Sequence, residues 1–299
     1  MGALVQVRDR VARHLVGRER ELELVLSAVG AGRDIVLEGP PGTSKTTLLR
    51  AISAEWGIPL LFVEGNADLT PSRLIGHHNP ARVLREDYSA DNFVPGPLVE
   101  AMREGGFLYI EEFNRAPDDT LNTLLTAMAE RQVTVPRVGT IAAEPTFRVI
   151  ASMNPYDNVG TARLSTSISD RLCRLAVDYQ DDAAERGIVA LRTGVPATDR
   201  LVADAVAVTR ATRTHPDVRQ GSSVRGAIDA TLVATEIAAL RRVSTWDDER
   251  YPQLVLDAMT VALSGRLQLD EAAETTPEQV LRQIWEDHFV LLPHAAGPG

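Results

Sequence analysis

The sequence holds a single cysteine, Cys173, among 299 residues. That excludes an internal disulfide and fits a reducing compartment. The thiol reads as a small buried apolar side chain. Long apolar runs are missing as well. No stretch approaches the ~20 residues needed to span a bilayer, and the N-terminus lacks the basic-then-apolar layout of a signal peptide. A cytoplasmic protein is expected. An excess of positive charge is also absent: 31 Lys and Arg face 41 Asp and Glu, for a net charge of −10. This counts against a broad basic surface for nucleic acid, while a local basic pore stays compatible with it. No internal repeat or low-complexity tract is found. What is present, 44% hydrophobic and 24% charged residues, is the composition of a soluble globular protein. The length suits one large or two ordinary domains.

One stretch stands out, Gly39-Pro40-Pro41-Gly42-Thr43-Ser44-Lys45-Thr46. The apolar run Ile35-Val36-Leu37 precedes it, and Thr47-Leu48-Leu49-Arg50-Ala51-Ile52 follows with helical character. Strand, glycine-bearing loop, Lys-Thr and helix make up the grammar of a phosphate-binding loop. Backbone N–H groups of such a loop surround phosphates, and the helix N-terminus adds partial positive charge. Lys45 would reach the outer phosphates, and Thr46 would offer its hydroxyl to Mg²⁺. The strict pattern has Gly where this chain has Ser44.

Around that loop the chain alternates strands and helices. Residues 1–30 read as helical, with a turn at Leu15-Val16-Gly17-Arg18-Glu19. Pro59 to Glu64 is apolar without alternation, as in a parallel strand covered on both faces. Residues 65–96 are less regular and long for a plain connection, which points to a functional or mobile segment. His77 and His78 lie there without a third ligand at metal spacing and read as surface residues. Pro97 to Glu104 reads as a helix stopped by Gly105-Gly106. Phe107-Leu108-Tyr109-Ile110-Glu111-Glu112 reads as a strand delivering two acids to its C-terminal edge, where ligands bind in open α/β sheets. Asp118 to Glu130 reads as a helix opened by Pro117. Gln132 to Val135 and Thr146 to Ile150, flanking Gly139, read as a hairpin whose second arm runs on as a core strand. That strand ends at Asn154-Pro155. Arg174 to Tyr179 reads as the last strand. From about Asp181 strand signals vanish. Residues 182–192, 198–213, 223–241, 253–264 and 277–289 carry helical periodicity. Arg225, in the first turn of the third of these, works against the helix dipole.

Taken in order, these motifs resemble the MoxR branch of the AAA+ ATPases. The resemblance covers nearly all of residues 15–230 and thins out in the last 70. It rests on the loop at 39–46, in which a small residue other than Gly before the Lys is familiar. It rests equally on Phe93-Val94-Pro95-Gly96-Pro97-Leu98, on Glu111-Glu112-Phe113-Asn114-Arg115-Ala116-Pro117, and on Leu124 to Thr134. Asn154-Pro155, Asp170-Arg171-Leu172 and Gly221-Ser222-Ser223-Val224-Arg225 complete the set. The implied fold is α/β: a five-stranded parallel P-loop sheet sandwiched by helices (1–180), then an α-helical lid domain (181–292) and a flexible tail (293–299). Residues 65–96 would be the insertion in the second helix, and 132–149 the hairpin before the first sensor. In relatives both point toward the pore of a ring, usually a hexamer.

The resemblance also implies roles. ATP would lie across Gly39, Pro40, Pro41, Gly42, Thr43, Ser44, Lys45, Thr46 and Thr47, with Val16 and Gly17 near the adenine. Thr46 and Glu111 would hold Mg²⁺. Glu112 would orient the attacking water, Asn154 would bond that water or the γ-phosphate, and Arg225 would sense the γ-phosphate from the lid. Arg171 would act on the ATP of the neighbouring subunit, with Arg115 as the competing candidate. Glu111 departs from the family, where Asp is usual. The implied activity is ATP hydrolysis that remodels, matures or activates a partner protein. MoxR relatives are often paired with a partner carrying a von Willebrand factor A domain. A nucleotide-gated switch with little hydrolysis is the alternative, ahead of a nucleic-acid motor.

Overall fold

A computed structural model describes residues 2–86, 89–155 and 164–291. The chain divides into two units, Met1–Asp178 and Tyr179–Gly299. The expected tail at 293–299 lies outside the described residues.

In the first unit α1 (Gly2–Val11) and α2 (Glu19–Gly30) lead to β1 (Ile35–Glu38), α3 (Lys45–Trp56) and β2 (Leu60–Glu64). Next come α4 (Pro71–Ile75), β3 (Gly76–His78), α5 (Pro80–Glu86), β4 (Phe93–Pro95), α6 (Pro97–Glu104) and β5 (Phe107–Glu111). The unit closes with α7 (Asp118–Glu130), β6 (Gln132–Val135), β7 (Gly139–Ala142), β8 (Arg148–Met153), α8 (Thr166–Ser169) and β9 (Cys173–Ala176). Among the described residues one five-stranded sheet forms, in the order β2-β5-β8-β1-β9, and every pairing in it is parallel.

Side chains alternate across a strand, so each central strand feeds two cores. Leu108, Ile110, Val149 and Ala151 pack on one face with Leu98 and Met102 of α6 and Leu121 and Leu124 of α7. Phe107, Tyr109 and Ile150 pack on the other with Leu22 and Leu26 of α2 and Leu48, Leu49 and Ile52 of α3. This two-sided burial explains the unbroken apolar runs in the sequence.

Three expectations need correction. The run at 60–64 is an edge strand rather than a strand covered on both faces, and Phe62 is 46% exposed. Cys173 is exposed, because β9 is the opposite edge and its first residue meets solvent. The hairpin arm opposite β6 is β7, not 146–150: Val135 pairs with Gly139 and Gln132 with Ala142. Three residues turn the chain there, with Arg137 left-handed at φ 64. The core strand β8 begins separately, after the turn in which Phe147 N–H donates to the Glu144 carbonyl at 3.0 Å.

Within 65–96, β3 and β4 form an antiparallel pair. His77 is exposed. The His78 ring meets Phe93 edge-on at 5.5 Å, and its Nε2 lies 3.2 Å from the Pro136 carbonyl. Among the described residues no group of three or more His, Cys, Asp and Glu could hold a metal ion, and no helix is long and apolar enough to cross a membrane.

The second unit contains α9 (Asp182–Thr193), α10 (Arg200–Ala211), β10 (Val218–Gln220), α11 (Val224–Arg241), α12 (Tyr251–Leu263), β11 (Gln268–Leu269) and α13 (Pro277–Glu286). Asp181, Asp199, Ser223 and Thr276 cap α9, α10, α11 and α13 with side-chain oxygens. The antiparallel pair β10–β11 was not expected. Its arms are too short to display a period of two.

Buried polarity ties this unit together. Asp204 is 2% exposed; its carboxylate accepts a bond from Tyr251 OH at 2.7 Å, and His288 Nε2 sits at 2.8 Å. Arg200 lies over the Tyr251 ring at 4.9 Å. Burial pushes the Asp204 carboxyl up, but the bonds from His288 and Tyr251, with the nearby positive charge, outweigh it and leave the group below its ordinary value. A carboxyl depressed in the fold stabilises it above the unfolded value and loses that contribution as pH falls through the folded value.

Ser44 adopts φ 64 without a side-chain cap bond, a conformation that favours Gly. Ser44→Gly is expected to stabilise the first unit by roughly 0.5–1 kcal/mol, the left-handed cost less the backbone entropy that Gly loses, and to raise its melting midpoint by about 1–4 °C, read by calorimetry. A lowered midpoint contradicts the strain. For the second unit, urea unfolding followed through Trp246 and Trp285 should lose stability below about pH 4. Asp204→Asn should cost ~1–3 kcal/mol near neutrality and flatten that acid limb. An unchanged limb contradicts the role of Asp204.

Candidate functional site

The C-terminal edge of the sheet gathers the chemistry. Beyond β1 the chain must turn tightly into α3, and Gly39 permits it: a Cβ there would lie 1.9 Å from the Val177 carbonyl oxygen. The Gly39 N–H donates to the Met153 carbonyl at 3.1 Å, which extends the β1–β8 ladder into the loop. Buried Thr43 donates from Oγ1 to the Pro40 carbonyl at 3.0 Å. Lys45 Nζ bonds the carbonyls of Gly39 at 2.9 Å and Pro40 at 2.8 Å and Thr43 Oγ1 at 3.0 Å. The loop therefore holds its own cation above a helix N-terminus, a setting that favours a phosphate. Pro41 and Thr47 are exposed on the rim.

The turn at Val16 and Gly17 runs directly into Arg18. Arg18 is 3% exposed and reaches the Asp178 carbonyl at 2.5 Å, next to the Val177 that crowds Gly39.

β5 delivers the two acids in different ways. Glu111 ends the strand, and its Oε1 accepts from Thr46 Oγ1 at 2.8 Å. Glu112 turns left-handed at φ 54, so its carboxylate leaves the strand direction. It pairs with Arg115 Nε at 2.8 Å. Gly65, after β2, fits closely here: its N–H donates to the Glu111 carbonyl at 2.7 Å, and a Cβ would sit 2.3 Å from the Glu112 carbonyl oxygen. Asn154 follows β8, and its carbonyl accepts from Asn114 Nδ2 at 3.4 Å. Gly39, Lys45, Glu111, Glu112, Arg115 and Asn154 line one cleft of about 70 Å³.

The remaining residues named from the sequence lie elsewhere. Arg171 is exposed and lines a larger cavity, about 470 Å³, with Arg33, Asp34, Arg131 and Cys173. That cavity is lined by none of the loop or acid-strand residues, so size does not mark the chemistry here. Arg115, the rival of Arg171, already lies against Glu112 of its own chain. Arg225 is exposed in the first turn of α11, in the second unit.

Two polar residues at the site escaped the sequence reading. Tyr109 is fully buried, and its OH lies 3.1 Å from Thr46 Oγ1, 3.4 Å from Glu111 Oε1 and 2.9 Å from Ser152 Oγ. Burial, first of all, pushes the Tyr109 phenol up to about 12, so it stays protonated near neutral pH. The missed signal was the strand period: Tyr109 is two residues before Glu111 and shares its face. Tyr109 pairs with Ile150 on β8, so Ser152 shares that face too.

The donor set fits nucleotide-bound magnesium. Mg²⁺ is held by hard oxygens, commonly one or two carboxylates together with substrate phosphates. Thr46 and Glu111 supply one hydroxyl and one carboxylate beside the phosphate-type loop.

Comparison with known proteins agrees with this geometry. Residues 34–172 match the family model of the AAA domain, dynein-related subfamily. The chain is 30% identical over 253 residues to a gas vesicle ATPase, GvpN, of Ancylobacter aquaticus, covering 78% of this chain and 69% of that protein. An uncharacterized protein of Staphylococcus epidermidis is 31% identical over 238 residues, with 76% and 89% covered. Among solved structures, one of a candidate ATPase from Cytophaga hutchinsonii superposes with a TM-score of 0.53 at 23% identity, covering 95% of this chain and 93% of that one. The Thermotoga maritima RuvB Holliday junction branch migration motor gives 0.51 at 17%, covering 82% and 70%, a likeness of fold alone. The five-stranded parallel sheet, the loop at its C-terminal edge and these matches agree: the chain belongs to the AAA+ ATPases, with residues 34–172 matching the dynein-related AAA domain.

Proposed function

We propose that this chain is a ring-forming, MoxR-type AAA+ ATPase. It would use hydrolysis of Mg²⁺-ATP to remodel, mature or activate a partner protein, with a von Willebrand factor A domain as the expected partner module. The observation that carries the catalytic half is the convergence of Lys45, Glu111, Glu112 and Asn154 on one cleft, with Thr46 bonded to Glu111. The MoxR motif order and the match to a gas vesicle ATPase support the assignment.

Phosphoryl transfer to water needs positioning, charge neutralisation and an oriented nucleophile. Backbone N–H groups of the 39–46 loop and Lys45 Nζ receive the phosphates, so Nζ exchanges its loop carbonyls for phosphate oxygens. Thr46 and Glu111 would hold the magnesium ion, which when bound would supply neutralisation of phosphate charge. Glu112 takes the role of orienting and polarising the water. Its bond to Arg115 has to loosen for that, and the pair is half exposed, a class of ion pair worth about 0–1 kcal/mol. Asn154 bonds the water or the γ-phosphate. Val16 and Gly17 flank the adenine. The resemblance assigns γ-phosphate sensing to Arg225.

Arg171 is the residue that calls for a second copy. It is exposed and outside the cleft of its own chain. Reaching a neighbour's ATP would complete that site, which motivates the homo-oligomeric ring, hexameric by resemblance. The Glu112–Arg115 pair also favours a second reading, a nucleotide-gated switch that binds ATP but hardly hydrolyses it.

Glu112→Gln is expected to retain ATP while phosphate release falls by about 10²–10⁴-fold. Equal background release from both proteins favours the switch. Arg171→Ala should lose ~10³-fold with nucleotide affinity kept. Mixing Arg171→Ala with Glu112→Gln subunits should restore part of the activity, since each supplies what the other lacks. Mixtures no more active than their components argue against a finger in trans.

A further inference from the structure

We propose that Tyr109 and Ser152 are positioning residues. With Thr46 they form a directional chain of hydroxyls that ends on Glu111 and holds the Thr46–Glu111 pair ready for a divalent cation. The proposal rests on the reading of the cleft as a magnesium–nucleotide site. It also gives a physical reason why Glu serves at position 111, where Asp is usual.

The hydroxyl protons of this cluster can be assigned one by one. A carboxylate only accepts, so Thr46 spends its one hydroxyl proton on Glu111 Oε1, at 2.8 Å. Thr46 Oγ1 is therefore an acceptor toward Tyr109, 3.1 Å away. Were Tyr109 to donate to Ser152 instead, two lone pairs would face each other across that 3.1 Å gap. The Tyr109 proton is thus directed at Thr46, with Glu111 Oε1 also within 3.4 Å. The Tyr109 oxygen in turn accepts from Ser152 Oγ at 2.9 Å. Each hydroxyl proton is used once, the chain terminates on the anion, and Thr46 keeps one lone pair for a cation.

The support of this chain is rigid. Tyr109 is fully buried and Ser152 is 1% exposed. The Tyr109 ring lies edge-on to Phe62 at 5.7 Å. Parallel pairing of β5 with β8 fixes both residues on one face of the sheet. The extra methylene of Glu111 brings Oε1 to Thr46 directly, where the carboxylate of Asp would end about one bond length short. Residues that orient metal ligands typically change metal affinity or activity 10–100-fold when removed.

The test is binding of a fluorescent ATP analogue to the full chain, titrated with Mg²⁺. Tyr109→Phe keeps the ring and removes only the OH. It should raise the Mg²⁺ concentration for half-maximal binding about tenfold, while affinity without Mg²⁺ stays within about twofold. Ser152→Ala, one bond further out, should act in the same direction and less. In a Glu111→Asp background, Tyr109→Phe should change the Mg²⁺ requirement less than about twofold. Three results overturn the chain: a Tyr109→Phe requirement equal to wild type, an effect of the same size in the Glu111→Asp background, or an equal loss of Mg²⁺-free binding. Wild-type binding that ignores Mg²⁺ overturns the reading of the site itself, and the chain with it.

Discussion

Parallel pairing of β1, β5 and β8 is the constraint on which the rest depends. Ile35 pairs with Ile150 and Tyr109 pairs with the same Ile150, so the three strands run in step to one edge. At that edge β1 releases Gly39, β5 releases Glu111 and Glu112, and β8 releases Ser152 and Asn154. A one-residue slip would turn Glu111 and Tyr109 to the opposite face and bring Leu108 and Ile110 toward α3. The buried faces forbid it, because both cores are sorted by that alternation. Stability of the sheet and geometry of the site are thus the same requirement.

Local backbone geometry then aims the side chains. Ser44 and Glu112 both take left-handed conformations, at φ 64 and 54. The first lets the loop enter α3 with Lys45 turned over it. The second swings one acid away from the strand, so two adjacent glutamates acquire different partners, Thr46 for Glu111 and Arg115 for Glu112. Glycines at 39 and 65 leave space for these turns, since a side chain at either would strike a carbonyl. Such uncommon conformations at a cleft are where function and local propensity compete.

Much of this was legible in the sequence. The loop, the acid pair and the central strands have strong local signatures: glycine spacing, apolar runs, caps. The five-stranded parallel sheet followed from the family resemblance rather than from any single segment, and its strand order was not read from the sequence. What escaped was whatever depends on neighbours distant in sequence. Whether 60–64 sits centrally or at an edge is decided by which strands pair with it, and Cys173 looked buried for the same reason. The arm of the β6 hairpin was misplaced because 146–150 is the stronger apolar run, while Gly139–Ala142 completes the turn. Tyr109 and Ser152 carry no local motif; the register sets the Tyr109 hydroxyl against Thr46 and the Ser152 hydroxyl against Tyr109.

The proposed ATP hydrolysis depends on a site completed by a second copy of the chain. The direct measurement is phosphate release per subunit from Mg²⁺-ATP, across a dilution series that passes from assembled to monomeric protein by light scattering. Release is expected to follow the assembled fraction and to vanish with it. Monomers that turn over ATP as fast as assemblies, or assemblies that release no phosphate, would contradict it.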